Sequence, residues 1–120
     1  MFITLWITAV LLSLVYLLAG ASKVARSKEK LLPQMGWVED FAEPQLKAIG
    51  ALEVLGALGV ILPLATGIAP FLTSVAAFGL VLVQIGAIVV HIRRGEQKVL
   101  PVNVVLMLLA ATVGVLAIAQ

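Results

Sequence analysis

Four apolar stretches decide most of what this chain can become. Residues 2–20, 48–64, 68–90 and 99–119 each approach the ~20 residues that cross a ~30 Å hydrocarbon core as a helix. In lipid a backbone must satisfy its own hydrogen bonds, and a helix does so within one segment. The rest of the composition agrees. Of the residues, 62% are hydrophobic and 12% charged, against about 45–50% and about 25% in soluble domains. The expected fold is all-α, an integral membrane four-helix bundle, with residues 1–120 forming one domain because too little chain remains to build another.

Charge placement predicts the orientation. The eight basic residues fall in two places: Lys23, Arg26, Lys28, Lys30 and Lys47 flank the first connection, and Arg93, Arg94 and Lys98 lie in the third. The second connection, Ala65-Thr66-Gly67, and both termini carry none. Alternate connections of a four-span protein share a side, so the positive-inside rule puts the first and third in the cytoplasm and both termini outside. Ala19-Gly20-Ala21 has the look of a signal-peptide cleavage site, but the basic segment that precedes such a site is missing, so a retained first span is expected.

Several chemistries are excluded. Without cysteine there is no disulfide, thiolate nucleophile, Cys-x-x-Cys redox pair or cysteine-bound cluster. One histidine, His91, cannot make a bis-histidine haem site. No metal site and no resident cofactor are expected. The bilayer is the first partner, a nucleic acid is not one, and any redox role would use a partner's cofactor or a diffusible quinone.

The connection over residues 24–46 is the long one. Pro33 and Pro44 bracket a segment in which Trp37, Val38 and Phe41 would share a helical face, with Glu39, Asp40 and Glu43 mostly turned away. It reads as a short interfacial helix on the cytoplasmic surface, placed to lid the bundle. Further along, Pro63 reads as the end of the second span and Pro70 as part of the first turn of the third. Gly79 and Gly86 suggest close packing, Gly95 a C-terminal helix cap.

Within the spans, the polar residues lie at one level. Glu53 is six residues in from Lys47, ~9 Å at 1.5 Å per residue. Gln84 is seven before His91 and Tyr16 seven before Lys23, each ~10 Å, and Asn103 is four beyond Val99, ~6 Å. Lys23 and His91 stand just outside this layer and can snorkel into it. Glu53 shares a helix face with Gly50, Gly56, Ala57 and Val60, small residues suited to an interior seam. An ionisable residue in a span costs at least ~2.5 kcal/mol, which marks it as a functional candidate. Three readings stay open: cross-links between helices, a polar pocket for a ligand, or acid–base catalysis by Glu53.

The residues that stand out also carry a family likeness. Gly20-Ala-Ser-Lys23, the run Lys47-Ala-Ile-Gly-Ala-Leu-Glu-Val-Leu-Gly-Ala-Leu-Gly-Val-Ile-Leu-Pro63 and Gly86-Ala-Ile-Val-Val-His91 resemble the DoxX-like family of small four-span bacterial membrane proteins. The resemblance implies a four-helix bundle in the bacterial cytoplasmic (inner) membrane and puts Gly20, Lys23, Glu53 and His91 on recurrent family positions. It is also similar in architecture to a quinol-oxidase accessory subunit, and more distantly to four-span sterol isomerases and membrane chaperones.

The leading expectation is therefore a membrane protein whose cytoplasmic-side pocket holds a lipophilic, quinone-like or isoprenoid molecule. It would serve as an accessory subunit of a membrane redox system. Tyr16, Lys23, Glu53, Gln84 and Asn103 are its candidate ligand-binding residues. The first alternative is an isomerase- or cyclase-type enzyme with Glu53 as acid/base, helped by His91 or Tyr16. The second is a structural or chaperone subunit. A homodimer or a larger membrane complex is compatible with all three, whereas a transporter would need dimerisation to gain alternating access.

Overall fold

The first two long helices outrun their apolar stretches at the basic end, to Ala25 and from Glu43, whereas the last two begin a little inside theirs. The computed structural model describes residues 2–33, 35–69 and 71–119, with Asp40 described by its backbone alone. Helix α1 spans Phe2–Ala25, the single turn α2 Lys28–Leu31, α3 Glu43–Thr66, α4 Phe71–Arg93 and α5 Leu100–Ile118; short 3-10 turns occupy Gly36–Asp40 and Gln97–Val99. Among the described residues there is no strand. The four long helices are apolar and long enough to cross a membrane, and the expected all-α membrane bundle is what the chain forms. At 24 residues, α1 and α3 are each about 36 Å long and outspan the hydrocarbon core.

The order of packing is a closed ring: α1 against α3, α3 against α4, α4 against α5, and α5 back against α1. The α1–α3 seam is the tightest. A Cβ built on Gly20 would lie 2.6 Å from the Gly50 carbonyl, and one on Gly50 2.7 Å from the Gly20 carbonyl. The two backbones touch there, as small residues permit in membrane helices. Buried residues on α3 run Leu46, Gly50, Glu53, Ala57, Val60 and Pro63, the 3–4 spacing of one interior stripe. Hydroxyls tie the helices further: Ser13 donates to the Ala57 carbonyl at 3.1 Å, Thr73 to Val60 at 3.0 Å and Ser74 to Gly114 at 3.0 Å.

Two expectations need correction. Pro63 does not end the second span: α3 continues to Thr66 and stops at Gly67, which takes φ 72° and donates its N–H to the Pro63 carbonyl. A proline is tolerated inside a membrane helix where neighbours cover the backbone group it frees, and Pro63 is buried. Pro44, expected in the loop, lies in the first turn of α3, where its missing N–H is harmless. The short helix expected over the basic end is present, as a 3-10 helix over Gly36–Asp40. Trp37 and Phe41 stack edge to face with centroids 5.6 Å apart, and both pack against a small core of Val38, Leu31 and Leu46 that is separate from the core of the bundle. Pro70, Gln34 and the termini Met1 and Gln120 lie outside the described residues.

Candidate functional site

Position follows from the α1–α3 crossing. Lys23 lies one turn beyond Gly20, and its Cβ would stand 2.7 Å from a Cβ on Gly50. Glu53 lies one turn along α3 in the opposite direction, so the lysine stem must run inward along the seam to meet it. It does: Lys23 Nζ donates to Glu53 Oε1 at 2.6 Å, with both side chains over nine-tenths buried. The ammonium also sits 5.6 Å from the Trp37 ring centroid, within cation–π range, so the 3-10 turn covers the pair.

Tyr16 and Gln84 form the second contact. Gln84 Nε2 donates to the Tyr16 hydroxyl, and both residues are buried. Their helices, α1 and α4, are diagonal in the ring, so this hydrogen bond crosses the middle of the bundle. An interfacial tyrosine with a wet hydroxyl is the ordinary state of such a residue; here the ring is 1% exposed. Gln84 Oε1 is buried and has no hydrogen-bond partner among the described residues. Exchanging the two ends of the amide satisfies the oxygen and orphans the nitrogen instead, so one polar atom stays unmatched either way.

The sequence placed His91 in the site, and the structure gives it a second engagement. The end of α4 closes in a Schellman turn: Gly95, at φ 70°, donates to the Ile92 carbonyl and Glu96 to the His91 carbonyl at 2.8 Å. That fold-back brings Glu96 Oε1 to 2.9 Å from His91 Nδ1 and 3.1 Å from Arg94 Nε. The hydrogen bond with His91 and then the Arg94 charge hold the Glu96 carboxyl below the usual glutamate range. Arg94 NH1 also reaches Glu39 Oε1 at 3.1 Å, linking the two basic connections.

These groups surround one cavity of about 430 Å³. Tyr16, Lys23, Glu53, Gln84, His91 and Asn103 are all in its wall, together with Trp37 and Phe41 from the 3-10 turn and aliphatic side chains from every long helix. The structure thus brings all six candidate residues to one cavity, but as two pairs and not one network: Glu53 bonds to Lys23, Tyr16 to Gln84. Glu96 and Arg94, which sequence reasoning passed over, hold His91 from outside; the glycine at position 95 was the available signal. Among the described residues no group of three or more His, Asp or Glu side chains is placed to hold a metal ion.

The family model for the DoxX-like family matches residues 7–113. The chain belongs to the DoxX-like family. That match reaches into all four long helices and takes in every residue of the cavity wall named above, so this DoxX-like protein is a multi-pass membrane protein. Comparison with curated proteins and with solved structures returned no match. For this DoxX-like chain the site geometry must therefore carry the functional argument.

Proposed function

We propose that this DoxX-like protein binds a lipophilic small molecule with a neutral, hydrogen-bonding head, of the quinone or isoprenoid class. The head would sit in the cavity at the basic end, on the cytoplasmic side by the positive-inside rule. The observation that carries the reading is the orphaned amide atom of Gln84 in a cavity wall otherwise rich in aliphatic and aromatic side chains. A buried polar group without a partner costs about 1–3 kcal/mol, and a ligand carbonyl or hydroxyl would remove that cost. The charge balance selects the head. Lys23 is neutralised by Glu53 at contact distance, so the wall offers no spare cation to a phosphate. A role as accessory subunit of a membrane redox system follows naturally for a quinone-class ligand.

The arrangement favours binding over acid–base chemistry. Glu53, the candidate acid/base, has its charge held by Lys23 at contact distance and is not presented free to a substrate. A purely structural role for the Lys23–Glu53 pair is compatible with the pocket, since the pair also fastens α1 to α3. Lipid extraction and mass spectrometry of the purified protein test the proposal. A quinone or isoprenoid should co-purify with the wild type and fall at least tenfold in Gln84→Leu, which removes the orphaned atom and keeps the volume. Absence of any such molecule from both forms would refute it.

A further inference from the structure

The cavity is not closed on the lipid side. Leu52, Leu82 and Gly86 in its wall are all exposed on the outer surface of the α3–α4 seam. A second, shallower cavity of about 510 Å³ follows the same seam, and the two share Leu52, Leu82 and Val83. Its floor is closed by Leu80 against Gly56, where a Cβ would meet the leucine side chain at 2.6 Å. The wall includes Ala76 and Gly79. From Gln84 to Ala76 is eight residues, so the combined trough runs about 12 Å along α4, past the middle of the helix toward its Phe71 end.

Two glycines of α4 make this trough. A Cβ on Gly79 or on Gly86 would meet nothing within 4 Å. The expectation that they serve close packing is therefore wrong, unlike the case of Gly20 and Gly50. Glycine inside a helix is less stable than alanine by about 0.5–1 kcal/mol, and among the described residues no close approach requires it at either position. What the two absent side chains leave is open space, seven residues apart on one face of α4: one at the mouth of the polar cavity, the other along the groove.

We infer that the ligand reaches the polar cavity sideways from the bilayer, through the α3–α4 seam at Gly86, and leaves a single flexible hydrocarbon tail lying in the groove at Gly79. This rests on the head-group reading above and adds the route and the shape of the ligand. The occupant is a tail and not a helix of a second copy, because the groove is continuous with a cavity that holds an unmatched polar atom. A trough bounded by Leu55 and Leu82 and opening into the polar cavity suits one chain with a small head.

The test uses the full chain in nanodiscs with Trp6→Phe as background, leaving Trp37 in the cavity wall as the reporter. Quenching of its fluorescence is titrated with a benzoquinone bearing a decyl tail and with the same ring bearing methyl. The background protein should bind the decyl compound saturably. Gly79→Leu should weaken the decyl compound at least tenfold and leave the methyl compound within twofold. Gln84→Leu should weaken both. Thermal stability of Gly79→Leu should be unchanged or raised, since the new side chain enters open space. Equal affinity of the decyl compound for Gly79→Leu and the background, with Gln84→Leu still impaired, would overturn the lateral route and leave the head-group site standing. Failure of Gln84→Leu to affect either compound would overturn the site itself. Loss of a chemically cross-linked dimer in Gly79→Leu, with unchanged decyl affinity, would assign the groove to a second copy and sink the inference.

Discussion

Lys23 and Glu53 pose the sharpest energetic question at the scale of single residues. Two charges removed from water are repaid only by near contact and good hydrogen bonding, and replacing both with apolar groups is often neutral or better. Removing one partner is different, because it leaves a buried charge alone. Glu53→Leu should therefore destabilise the bundle by up to ~3–5 kcal/mol, less whatever Lys23 recovers by swinging back to the basic end. The double variant Lys23→Met/Glu53→Leu should restore most of that loss. Reversible unfolding in mixed micelles measures both; a double variant as unstable as the single would mean that the pair has structural work beyond its own charge balance. The sequence made Glu53 legible as an inward-facing carboxylate, since its neighbours Gly50 and Ala57 mark the seam. It did not reveal which donor Glu53 meets. That depends on Lys23 turning back along α1, a rotamer choice with no trace in residue spacing.

Among the elements, the connection between α1 and α3 was the least readable. A five-residue segment is too short for periodicity to separate a 3-10 turn from a turn of α-helix, since both place Trp37 and Phe41 near each other. What fixes it is tertiary: Val38 is drawn into the pocket formed by Leu31 and Leu46. The turn is held over the cavity by Arg94, which touches Glu39 on one side and Glu96 on the other. The pH dependence follows from Glu96. Its carboxyl is held below the ordinary value, so the pairing is complete above the usual glutamate range, ~4.3, and is lost as pH falls through the lowered value. His91, Arg94 and Glu39 are the charged or titratable partners within this latch. Amide hydrogen exchange of residues 36–41, corrected for intrinsic rates, should therefore stay slow through the usual glutamate range and rise only below it. In Glu96→Gln the same segment should exchange faster at pH 7. Protection in that variant equal to the wild type in both pH ranges would show that the turn is held by its apolar core alone.

For the whole molecule, the sequence determined more than it did for the parts. Four apolar runs with polar residues at matching depth led directly to a bundle with one polar layer, and the depths of Tyr16 and Gln84 agree closely enough for them to touch. The diagonal contact itself was hidden, because the order of helices around the ring depends on which seams pack best and not on any single stretch. The ring also gives the charge asymmetry its physical meaning. All eight basic side chains belong to the end where α1 and α4 finish and α3 and α5 begin, beside the polar cavity; the opposite end has Trp6 stacked edge to face on Phe2 and no charged side chain among the described residues. Translocating that basic end would oppose the bias that orients membrane proteins, so the cavity and its latch should face the cytoplasm. Because the chain is free of cysteine, single cysteines at Glu29 and Thr66, both exposed and at opposite ends, report on this without further changes. In intact cells a membrane-impermeant maleimide should label Thr66→Cys and spare Glu29→Cys until the membrane is opened. Labelling of Glu29→Cys alone would invert the protein, open the cavity to the outside, and require a head group delivered from the outer leaflet.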